Sequence, residues 1–223
     1  MILSAANCIA SPLKTRGDVR FASRLRSDVL LAALVGSAPR VDYEELEGRG
    51  FACYRIRDYS DCRPDVFLWS PYVDANCVFR DIGGVPFHPR SMPDTPDASK
   101  EWLAETYAKC APLSWAVRCA LAAEVDTAVT RLNPAVRKIL VIYETSVLVE
   151  RCGNGDEAHR ALLRENSIAN SVISSVLAPL GWEILFEPYG LPKRSSSWSH
   201  SDFARLGLVF ESAGLLSGEG RAP

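Results

Sequence analysis

The eight residues from Lys138 to Thr145, Lys-Ile-Leu-Val-Ile-Tyr-Glu-Thr, constrain the fold more than any other stretch of this 223-residue chain. A short run that is β-branched and almost continuously apolar suits a strand buried on both faces. Such strands belong to parallel sheets covered by helices. Pro64 to Ser70, a short apolar run bounded by Pro64 and Pro71, and Trp182 to Phe186 read as strands of the same kind. Phe51 to Arg57 alternates apolar and polar residues and suits a half-wet strand.

Helical spacing fills the intervals. Phe21, Leu25, Val29, Ala32 and Ala33 recur on one face and predict a helix from Arg20 to Val35 that stops at Gly36. Ser99 to Leu132 is helix-forming but is divided by Pro112. Asp156, after the turn Gly153-Asn154-Gly155, is placed to cap a helix running to Leu177, and Phe203 to Phe210 favours a last helix. Strands alternating with helices predict an α/β three-layer sandwich with a mostly parallel sheet of four to five strands. Residues 1–16 are expected as an N-terminal segment outside the fold, 17–216 as a single domain and 217–223 as a tail. The Pro- and Gly-rich stretch Asp81 to Ser99 is expected as a long loop at a rim.

Charge and cysteine usage remove some classes of function. The net charge of −2 offers no basic field for nucleic acid. Charged residues interrupt each apolar run before the roughly 18 residues needed to cross a bilayer, and the N-terminus lacks the basic leader of a signal peptide. Seven scattered cysteines without a C-x-x-C pair give little support to a zinc site. Two states remain open for them: buried free thiols in a reducing compartment, or three disulfides with one spare thiol. Neither a metal nor a cofactor is expected. The Gly153-Asn154-Gly155-Asp156 turn lacks the spacing of a phosphate-binding loop, which disfavours a Rossmann-like nucleotide binder. Asp58, Asp61 and Asp65 read as solvated charges, and His159 as a surface residue of a helix.

In an open parallel sheet, ligands bind beyond the carboxyl ends of the strands. That rule selects four places: the loop from Ser70 to Asn76, Glu144 to Ser146, the loop from Pro188 to His200 and whatever precedes the helix at Arg20. Gly17-Asp18 precedes that predicted helix, Arg194-Ser-Ser-Ser-Trp-Ser-His200 precedes the last one, and Arg164-Glu-Asn-Ser-Ile-Ala-Asn170 leads through Gly181 into a strand. This layout resembles the SGNH hydrolases, and more narrowly their PC-esterase-like branch.

The resemblance implies ester hydrolysis or acyl transfer, with an O-acylated carbohydrate or similar small ester as ligand. It places Asp18 in the turn that carries the family's nucleophile and His200 in the role of general base. Ser70, Asn76 and His88 are the candidates to line the cleft, Asn76 as a neutral donor to an oxyanion. Two positions depart from the family: Val19 stands where its serine belongs, and Ser197 where its aspartate belongs. Ser23, one helical turn beyond Val19, and Asp202, two residues after His200, are the candidate replacements. The same departures support a second reading, a non-catalytic module that holds a ligand or partner in the same cleft.

Overall fold

A computed structural model of the chain describes residues 1–6, 10, 12–14, 16–22, 25–53, 56–71, 78–92, 94–142, 171–186 and 200–216, with the backbone alone at 90, 186 and 200–204. Five strands form the main sheet: β1 (Ile2–Ala5), β2 (Val19–Phe21), β4 (Val66–Trp69), β9 (Arg137–Ile142) and β10 (Glu183–Phe186). They lie in the order β10-β9-β4-β1-β2, and each neighbouring pair is parallel. Counted among themselves, the strands follow the 2-1-3-4-5 sequence of flavodoxin-like folds, so the chain reverses direction across the sheet between β1 and β4.

The pleat sorts side chains to two faces. On one, Leu3, Phe67, Trp69 and Leu140 pack under α1 (Ser27–Leu34) and α4 (Trp115–Leu132). On the other, Ile2, Leu68, Ile139 and Val141 pack under Leu206 and Phe210 of α5 (His200–Ser212), with Ala10 and Leu13 beside them. The result is the three-layer α/β sandwich expected, with five strands in its sheet.

Ile2–Ala5, within the segment expected to precede the domain, belongs to the fold, because β1 is an inner strand flanked by β2 and β4. The helix expected from Arg20 divides in two. Val19–Phe21 is the edge strand β2, and α1 begins only at Ser27. It ends at Leu34, followed by Gly36 in a left-handed conformation (φ 76°), where an added Cβ would meet Ser60 Oγ at 3.0 Å. Helical residues 171–177 close on the turn Ala178–Leu180 and Gly181, whereas the rest of the helix expected from Asp156 lies outside the described residues.

Between the sheet strands sits a second layer. It contains α2 (Tyr43–Gly48), β3 (Phe51–Cys53), β5 (Val78–Arg80), β6 (Pro86–Phe87), β7 (Pro89–Ser91), α3 (Asp97–Thr106) and β8 (Ala108–Cys110). The expected rim loop from Asp81 to Ser99 is therefore a pair of short antiparallel strands, β6 on β5 and β7 on β3, followed by the start of α3. Asp81 organises the β5–β6 hairpin: its carboxylate accepts from Val85 N at 2.8 Å and Arg40 N at 2.5 Å. Leu46, Phe51, Phe87 and Leu103 give this layer a core of its own.

Candidate functional site at the carboxyl edge of the sheet

All five strands of the main sheet point the same way, so their carboxyl ends share one edge. The end of α5 lies at the opposite, amino edge. There Arg16, three residues before β2, donates through Nη1 to Leu215 O at 2.7 Å. A helix of 13 residues rises about 18 Å from first residue to last, close to the length of the six-residue β9. The start of α5 at His200 therefore stands at the carboxyl edge, over the face that carries Ile2 and Leu68.

Ser70 follows β4 directly at this edge and is 1% exposed. Its backbone N–H donates to Ala5 O at 3.4 Å, holding it beside the end of β1 at the point where the strand order reverses. Ser4, also 1% exposed, pairs with Leu68 across the β1–β4 ladder. By the pleat, Ser4, Leu68 and Ser70 face α5, while Trp69 faces α4. Among the described residues, Ser4 Oγ, Ser70 Oγ and Trp69 Nε1 are buried and have no hydrogen-bond partner. Three such groups at neighbouring positions are unusual, because a buried polar atom without a partner forfeits its hydration.

On the α1 and α4 side, the same edge is built from buried charge. Arg26, at the start of α1, donates from Nε and Nη2 to both oxygens of Asp28, at 2.8 and 2.7 Å, and from Nη1 to Ala111 O at 2.8 Å. Arg118, in the first turn of α4, donates from Nε to Leu113 O at 2.8 Å. These bonds fasten the two helix starts to one loop. Arg80 of β5 adds a longer contact to Asp28, at 3.6 Å.

The sequence-predicted residues distribute unevenly over this frame. Ser70 lies at the reversal point. His200 is the first residue of α5 rather than part of a loop, and Asp202 is two residues further along that helix. Asp18 is elsewhere. Its carbonyl accepts from Ile2 N at 2.8 Å at the amino edge, and its carboxylate is held by Arg16 Nε and Nη2 at 2.8 and 2.7 Å. That guanidinium holds the Asp18 carboxyl below its ordinary range. Gly17-Asp18 thus leads into a strand, not a helix, and the structure separates Asp18 from Ser70 by the length of the sheet. Val19 is in β2, so Ser23 is not one helical turn beyond it. Ser23 and Asn76 lie outside the described residues. His88 is half-buried between β6 and β7 in the second layer, not in the main sheet.

Ser4 was not singled out by sequence. The signal available was a lone hydroxyl in the otherwise apolar run Met1 to Ala6. Among the described residues, no group of three or more His, Cys, Asp or Glu could hold a metal ion, and no helix is long and apolar enough to cross a membrane. Cys62, Cys110 and Cys119 are free thiols, which leaves four of the seven cysteines and rules out three disulfides. Burial raises the Cys119 thiol above its ordinary range and keeps it protonated. Comparison with family models and with curated proteins gives no match.

Proposed function

We propose that the chain is an SGNH-like domain, of the PC-esterase-like kind, that acts on a small ester or an O-acylated carbohydrate at the carboxyl edge of its sheet. The observation that carries this reading is the position of Ser70, buried beside the end of β1 at the reversal point, on the face of the sheet that α5 covers. A flavodoxin-like sheet receives its ligands at that point. A histidine at the start of the last helix suits a general base there.

In the catalytic form of the proposal, a serine hydroxyl attacks the acyl carbon and His200 takes its proton. His200 then gives that proton to the leaving alcohol, and water releases the acyl group. Ser23 is the attacking hydroxyl in this scheme. In sequence it comes two residues after Phe21, the last residue of β2. Asp202 orients the imidazole and Asn76 supplies an oxyanion donor.

A non-catalytic reading has its own support. The Gly17-Asp18 turn stands at the amino edge, so the element that carries the family's nucleophile does not serve the cleft. Hydrolysis of p-nitrophenyl acetate by the wild type and His200→Ala separates the two. The catalytic form predicts at least a 100-fold loss in the variant. Equal rates overturn it and leave the binding module.

A further inference from the structure

We infer that Ser4 and Ser70 together form a binding site for a neutral carbonyl group, the acyl end of an ester or an amide, beneath the first turn of α5. This rests on reading the carboxyl edge as the acyl-binding edge, and it adds to that reading a residue and a charge preference. The two serines stand on adjacent strands, two residues apart along the sheet, and face the same side. Strand spacing and rise put their Cβ atoms about 8 Å apart, a span that the two heteroatoms of one ester or amide group bridge with a hydrogen bond to each hydroxyl. Both side chains are 1% exposed and neither hydroxyl has a partner.

Ala6 and Ala10, fully buried neighbours on this face, are small, while Leu68 stands level with Ser4 and the bulkier Ile2 lies toward the amino edge. Among the described residues, the buried charges of the carboxyl edge, Arg26, Asp28 and Arg118, all belong to α1 and α4 on the other face. Two hydroxyl donors in an apolar setting suit an uncharged acceptor, because a carboxylate brought there would lose its hydration without a countercharge.

The probe is p-nitroacetanilide, an amide that mimics p-nitrophenyl acetate and resists hydrolysis, titrated into the full chain and followed by NMR. Ser4→Ala and Ser70→Ala are each expected to weaken binding about 10-fold, the equivalent of about 1.4 kcal/mol. Acetate at the same concentration is expected not to compete. Thermal unfolding of the variants supplies a readout that a structural role would move the other way. Removing an unpartnered hydroxyl leaves the melting temperature unchanged or higher, whereas removing a structural hydrogen bond lowers it. No binding by the wild type, unchanged binding in both variants, or displacement by acetate overturns the site. Amide binding without ester hydrolysis keeps this site and removes only the catalytic reading. Hydrolysis lost in His200→Ala but amide binding unchanged in the serine variants does the reverse.

Discussion

Asp126 shows how a single carboxylate joins two layers of the protein. Its Oδ1 accepts from Lys138 Nζ at 2.6 Å and from Trp182 Nε1 at 2.7 Å, and the Lys138 ammonium also donates to Leu180 O at 2.9 Å. The acid comes from α4, the lysine from β9 and the indole from the residue before β10. Trp182 then packs edge-on against Phe67 and Trp69 of β4, with ring centroids 5.9 and 5.8 Å away. Both members of the ion pair are only 14% exposed, so removing one leaves the other poorly solvated. Asp126→Ala is expected to lose about 2–4 kcal/mol of stability in urea unfolding. Trp182→Phe, which keeps the ring contacts and drops one hydrogen bond, is expected to lose less, about 1–2 kcal/mol.

At the scale of elements, the second layer is held to the sandwich at the start of α1. Asp28 binds the buried Arg26 and faces Arg80 of β5, so one acidic side chain links α1, the loop at Ala111 and the small antiparallel sheet. Asp28→Ala is expected to lose about 2–4 kcal/mol in urea unfolding, with hydrogen exchange at β8 rising more than at β9. Asp97→Ala, which breaks the exposed pair with Lys100, is expected to change neither measurement.

Which elements sequence reveals follows from how they are buried. β4 and β9 are inner strands whose burial leaves continuous apolar runs, and the edge strand β10 shows through Ile184, Leu185 and Phe186 in succession. β1 is equally buried, but Ser4, Ala5 and Ala6 are too small to give it that signature. In β2, Phe21 falls at helical spacing from Leu25 and Val29, so a three-residue edge strand merges with the pattern of α1. β6 and β7 each begin with a proline, tolerated at the first residue of a short strand yet read in sequence as a loop. For the candidate site, the rule about strand ends selects Ser70 because β4 is legible as an apolar run. The Gly17-Asp18 motif misled because it precedes a strand, and its place in the sheet depends on β1 and β2.

For the whole molecule, the amino edge is laced by exposed ion pairs and the carboxyl edge by buried groups, and the two respond differently to acid. Arg137 of β9 donates to both oxygens of Glu183 at 2.7 and 2.6 Å, and this contact holds the Glu183 carboxyl below its ordinary value of 4.5. Arg16 does the same for Asp18. A carboxyl whose folded pKa is depressed adds stability that is present above its unfolded pKa and is lost as pH falls through the folded one. Stability is therefore expected to decline as pH drops below 4.5. Arg137→Gln should make that decline shallower, and 0.5 M salt should shrink the difference because the pair is exposed to solvent. A decline equally steep in Arg137→Gln would exclude this pair as its source.

The proposed ligand site lies where β1 and β4 diverge, on the face covered by α5. Backbone amide shifts followed during titration with p-nitroacetanilide test that placement directly. The expected result is that Ala5, Ala6, Trp69, Ser70 and His200 move together, while Asp18, Val19 and Leu215 at the amino edge stay still. Shifts concentrated at Asp18 and Val19, with none at Ser70 or His200, would contradict it.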